Sequence, residues 1–256
     1  MLISTIMQHR TPLRGVVFDK DGTLIDFSKT WPPAIRQVTQ ELCDRAGVPD
    51  LWRRLLELGG QDPDTGAVMA GSLVAEATVE DLTSHWMDHH PEIATAKIDA
   101  GSTSADQRRQ IADWYHARCH AVIGDAYVPP TDLPPLFETL HARGIAIGVA
   151  TNDILVGAEK VLNALGVRRN VDFVAACDSG YGIKPDPGMI TAFCQALALA
   201  PAETAMVGDA QADLIAGRAA GCGLVVGVLT GASTRADLEP LADLVIDSIA
   251  DLPGVI

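Results

Sequence analysis

The sequence predicts an α/β protein, a doubly wound parallel sheet with an all-helical segment inserted after its first strand. Three observations carry this. One short apolar run lies near the start of the chain and five more lie in its second half. Helical patterns alternate with those five. Between the first run and the second, about a hundred residues keep helical periodicity and show no clear strand.

The strands are expected at "GVVFD" (15–19), "IAIGVAT" (145–151), "DFVAAC" (172–177), "TAMVGD" (204–209), "LVVGVLT" (224–230) and "DLVIDS" (243–248). They are short and almost continuously apolar, the pattern of parallel strands covered on both faces. Helices are expected at 132–144, where Leu133, Leu136, Phe137 and Leu140 share a face and Gly144 ends the run, and at 154–166, 187–199 and 211–221. Alternation of this kind gives a Rossmann-like doubly wound domain. In the insertion, 32–47 opens on two prolines and closes on Gly47. The run 78–90 starts with Thr78 and Asp81 in a capping-box-like relation, and 104–123 reads as a long helix. The proline-rich "VPPTDLPP" then leads back to the sheet. The expected division is 1–26 with 129–256 as the sheet domain and 27–128 as a helical cap. The links near 25–28 and 127–135 are expected to let the cap open and close.

Bulk properties narrow the partners. A chain of 256 residues, 48% hydrophobic, has ample material for a core. A net charge of −14 argues against nucleic acid, which demands basic patches. Five scattered cysteines without a CxxC suit a reducing compartment. No apolar stretch approaches the ~20 residues a membrane helix needs, and the N-terminus lacks a signal-peptide pattern. A cytoplasmic protein acting on a small molecule is expected.

Ligands of open parallel sheets sit beyond the carboxyl ends of the strands. There the first strand places Asp19 and Asp21, and the second Thr151, Asn152 and Asp153. The loop "DSGYGIKPDPG" follows the third with Lys184, and the fourth ends at Asp209, with Asp213 four residues on. Singly, these read as a turn cap, a strand-end turn, a surface lysine and a helix N-cap. Together they bring several carboxylates, a hydroxyl and an ammonium to one edge. That set suits phosphoryl transfer around Mg²⁺: oxygen ligands for a hard dication, a carboxylate nucleophile and a second carboxylate as acid and base. The pairs His85–His89 and His116–His120 have helical metal-ligand spacing but no evident further ligand, and are read as solvated helix faces. Trp31, Trp52, Trp86, Trp114 and Tyr115 are read mainly as cap core.

"FDKDGTLID", "ATN", "GIKPDP" and "VGDAQADLIAGRAAG", in this order, resemble the four motifs of the haloacid dehalogenase-like hydrolases. Within them they resemble the phosphatase branch with a helical cap, as in phosphoglycolate phosphatases. The resemblance implies Asp19 as nucleophile and Mg²⁺ ligand, and Asp21 as general acid/base giving its backbone carbonyl to the metal. It implies Thr151 and Asn152 on the phosphate, Lys184 orienting phosphate and Asp19, and Asp209 and Asp213 at the metal. The expected activity is Mg²⁺-dependent hydrolysis of a small phosphate monoester. A sugar-phosphate mutase, a receiver-type switch and a non-catalytic binding module are the alternatives. Two positions depart from the pattern. Phe27 replaces a common small polar residue, and Lys20 stands where leucine is more usual. Lys20 either adds positive potential near the site or points to the opposite strand face; alternation along a strand favours the second.

Overall fold

The computed structural model describes residues 12–98 and 106–256. The N-terminal eleven residues and the expected helix start at 104 lie outside them. In chain order the elements are β1 (Gly15–Phe18), α1 (Phe27–Ala46), α2 (Trp52–Gly59), α3 (Leu73–Glu76), α4 (Val79–His89), α5 (Gln107–Ile123), α6 (Leu133–Ala142), β2 (Ala146–Ala150), α7 (Leu155–Ala164), β3 (Phe173–Ala175), α8 (Gly188–Ala196), β4 (Thr204–Gly208), α9 (Gln211–Ala220), β5 (Leu224–Val228), α10 (Arg235–Leu238) and β6 (Leu244–Ile246). The chain divides into two compact units, the described part of Met1–Ile25 with Pro129–Ile256, and Asp26–Val128.

The first unit is an all-parallel six-stranded sheet in the order β3-β2-β1-β4-β5-β6. Strand order reverses between β1 and β4, which places the topological switch point, and the natural ligand crevice, at their carboxyl ends. Period-two alternation separates two cores. Val16, Phe18, Ile147, Val149, Ala205 and Val207 pack under Leu133, Phe137 and Leu140 of α6. Val17, Ala150, Ala175 and Met206 pack under Met189, Ile190 and Phe193 of α8. Both faces are covered, which is why the strands read as unbroken apolar runs. Every strand is shorter than its run in the sequence. The apolar signal marks burial, and burial continues past the last ladder hydrogen bond.

The second unit is helical, with no strand element among its described residues. Its core gathers Val38 and Leu42 of α1, Leu55 of α2, Leu82 and Trp86 of α4, and Ile111 and Tyr115 of α5. Trp86 and Tyr115 meet edge to face at 5.4 Å, and the Tyr115 hydroxyl is 2.8 Å from Thr39 Oγ1, so this buried phenol has a polar partner. Helix α1 starts five residues before the expected point, because Asp26 caps it by accepting the Lys29 N–H, and Pro32 and Pro33 sit inside its first turns. Thr78 caps α4 as its sequence indicates.

One reading of the insertion needs correction. His120 does not lie on a solvated face. It is buried, its Nδ1 2.6 Å from the Tyr127 hydroxyl and its Nε2 3.1 Å from His116 Nε2, because the chain turns back after α5. The five aromatics keep their reading as mainly core: Trp86 and Tyr115 are buried in it, and Trp31, Trp52 and Trp114 pack against it half-buried, the last two under the guanidinium groups of Arg36 and Arg45.

Candidate active site

The carboxyl ends of β1, β2 and β4 and the loop after β3 bring the sequence-derived residues together. β1 stops at Phe18, and Asp19 follows as the first residue past the ladder, its N–H on Val207 O of the neighbouring strand at 2.9 Å. Asp209 takes the same place after β4. Two adjacent parallel strands, paired as far as Phe18 and Val207, therefore deliver a carboxylate each to the same edge.

Asp19, Asp209 and Asp213 each offer an oxygen, and these oxygens lie within 4.8 Å of one another; all three residues are buried. Asp213 sits in the first turn of α9, where its Oδ2 accepts the Ala210 N–H at 3.0 Å and its Oδ1 accepts from Lys184 Nζ at 2.6 Å. The same ammonium donates to Asp19 Oδ1 at 2.5 Å. Lys184 is held from its backbone: its N–H donates to Asn152 Oδ1 (3.0 Å), and Asn152 Nδ2 donates back to its carbonyl (3.2 Å). The Asn152 side chain thus brackets the lysine loop. Thr151 is buried, and its Oγ1 accepts the Asp153 N–H at 3.1 Å, which leaves the hydroxyl proton available as a donor.

Three buried carboxylates against one ammonium leave an excess of negative charge. Burial, only partly opposed by Lys184, pushes the Asp19 carboxyl up to about 7, with Asp213 and Asp21 adding to the rise. Burial and the neighbouring Asp19 and Asp213 charges hold Asp209 well above the usual carboxylate range. For Lys184, burial pulls downward, but Asp19 and Asp213 together outweigh it and hold the ammonium charged. Asp19 Oδ2 is buried without a hydrogen-bond partner. An all-oxygen donor set with surplus negative charge and an orphaned carboxylate oxygen fits a hard divalent cation.

Two glycines make room for this arrangement. Gly22 has φ +101° and, like Gly231, lies so close to the Asp209 carboxylate that a Cβ at either position would collide with it. The Thr23 hydroxyl lies 3.5 Å from Asp209 Oδ1, and Thr230 Oγ1 donates to the Gly22 carbonyl. Thr23, Thr230 and Gly231 carry no expectation from the sequence; the "DGT" turn is the one local signal that marks Thr23.

Lys20 corrects the sequence reading. Its side chain is fully buried, and its ammonium lies 2.6 Å from Asp21 Oδ2 and 3.0 Å from Asp153 Oδ2. Strand alternation does not govern it, because β1 has already ended. Its carbonyl accepts the N–H groups of Leu24 and Ile25, so Lys20 opens the turn that carries Asp21.

The comparisons agree with this geometry. Residues 13–221 match the model of the haloacid dehalogenase-like hydrolase family. The N-acetylmuramic acid 6-phosphate phosphatase of Pseudomonas aeruginosa is 27% identical over 212 residues, covering 83% of this chain and 80% of that one. A phosphoglycolate phosphatase of Vibrio vulnificus is 27% identical over 247 residues, covering 95% and 96%. In fold, a crystal structure described as a predicted phosphoglycolate phosphatase from Haemophilus somnus superposes with a TM-score of 0.70 at 20% identity, covering 96% and 99%. The match over most of the chain, on a sheet whose adjoining strand ends present Asp19 and Asp209, places this protein in the haloacid dehalogenase-like hydrolase family.

Proposed function

We propose that this hydrolase removes phosphate from a small organic phosphate monoester by way of a phosphoryl group carried on Asp19. The observation that supports it most is the buried cluster of Asp19, Asp209 and Asp213 with a single ammonium among them. In this reading the Asp19 carboxylate attacks phosphorus and the P–O bond to the alcohol breaks. Asp21 gives its proton to the departing oxygen. Water then attacks phosphorus, Asp21 takes the water's proton, and Asp19 is released with inorganic phosphate. The Thr151 hydroxyl and Asn152 hold phosphate oxygens, while Lys184 keeps Asp19 aimed and offsets charge. Asp19, Asp209 and the Asp21 carbonyl would hold Mg²⁺. Asp213, with an oxygen on Lys184 and the other on Ala210, would support that site from behind. Bound Mg²⁺ supplies positive charge that favours ionised Asp19 and offsets the charge of the transferring phosphate.

The helical unit, read as a cap, is assigned the choice of substrate. Phosphoglycolate and N-acetylmuramic acid 6-phosphate, named for the relatives, are the first compounds to try. The test is phosphate release from a panel of metabolite phosphates with Mg²⁺, using Asp19→Asn as blank. Release by the wild type and none by Asp19→Asn is the expected result. An equally active Asp19→Asn protein overturns the mechanism. Transfer of phosphate between two carbons of a sugar, with little release to water, replaces hydrolysis by a mutase reaction.

A further inference from the structure

A lysine with no exposed surface is costly unless its charge is compensated. Lys20 meets that condition by lying between two carboxylates from different elements: Asp21, on its own turn, and Asp153, beyond β2. Asp153 is itself anchored. Its Oδ1 accepts the Ile154 N–H at 2.7 Å, and its carbonyl accepts the Cys177 N–H at 3.0 Å. Asp21, by contrast, is about a quarter exposed on its side chain and lies on a short turn. An ammonium joining a buried, anchored carboxylate to a more exposed one restrains the exposed one. We propose that Lys20 is a positioning residue that ties the Asp21 carboxyl to the Asp153 loop and so aims it at the leaving oxygen. The proposal rests on the phosphatase reading, in which Asp21 protonates that oxygen as the P–O bond breaks.

The role has a signature that loss of packing lacks. Misplacing a general acid penalises esters whose leaving group must be protonated, and spares those whose leaving group departs as an anion. A structural defect lowers both alike. The experiment compares kcat/KM for an alkyl phosphate and for 4-nitrophenyl phosphate, with Mg²⁺, in wild type, Lys20→Met and Asp153→Asn. Methionine keeps the length and apolar stem of the lysine, and asparagine can still accept the Ile154 N–H. In Lys20→Met the alkyl-to-aryl ratio is expected to fall by about tenfold or more, within the range of general-acid effects. Asp153→Asn shifts it the same way by a smaller factor, and it decides the matter if Lys20→Met does not fold. Equal losses on both esters, or no loss, in the folded variant overturn the proposal. Failure of the parent reading looks different: the wild type releases phosphate from neither ester, or Asp21→Asn leaves the alkyl ester untouched. Either of these removes the proposal as well.

Discussion

Two lysines of the sheet unit each hold two aspartates, yet the two clusters are chemically unlike. Lys184 bridges Asp19 and Asp213 at 2.5 and 2.6 Å, and Lys20 bridges Asp21 and Asp153 at 2.6 and 3.0 Å. The first cluster has a third carboxylate, Asp209, at hand and buries all of its members. In the second, Asp21 keeps part of its side chain in water. The same ion-pair motif therefore leaves a surplus of buried negative charge in one place and a water-screened carboxylate in the other. The difference teaches what to count: the uncompensated charge and the access of water around an ion pair, rather than the pair itself. By that count the Lys184 cluster is the one we propose as the seat for a dication, and the Lys20 cluster the one we propose as a mount for an acid.

Substitutions can break this comparison. The largest effect is expected for Asp19→Asn, which removes the proposed nucleophile and lowers kcat by about 10⁴-fold or more while leaving the circular dichroism spectrum unchanged. Lys184→Met should come next, with kcat down roughly 10²–10³-fold on alkyl and aryl phosphates alike, as for loss of a preorganised electrostatic group. Lys20→Met should be the mildest on the aryl ester and stand out only on the alkyl one. If Lys184→Met proves selective between the esters and Lys20→Met does not, the two clusters have been assigned the wrong way round.

A smaller effect is expected in stability. The Asp19 carboxyl is raised in the folded protein to about 7 from 3.8. The folded state therefore binds its proton more tightly, and stability is lost as pH rises between those values. Melting temperatures of metal-free protein, as wild type minus Asp19→Asn, should fall by a few degrees from pH 4 to pH 7.5. A flat or rising difference would mean that Asp19 is not buried in negative surroundings.

Much of the sheet was legible because apolar runs and alternating helices carry their own period, and all six strands lie within the runs that announce them. Boundaries were less so: the start of α1 depends on the Asp26 cap, and two prolines in its first turns suggest a later start. At the site, Asp19, Asp209 and Lys184 could be placed together because each follows a strand or a glycine-bearing loop. The tie between Asn152 and the Lys184 backbone joins residues 32 apart and has no local pattern. Lys20 was misjudged because alternation was carried two residues beyond the ladder. Gly231 faces Asp209 only through tertiary packing, and nothing in "TGAS" says so.

The claim on which the rest depends is that the Lys184 cluster takes the dication. Calorimetric titration of Mg²⁺ into wild type, Asp209→Asn and Asp153→Asn tests it without any substrate. Binding in wild type and Asp153→Asn, and its loss in Asp209→Asn, is the predicted result. Binding that survives Asp209→Asn but disappears in Asp153→Asn would contradict the account.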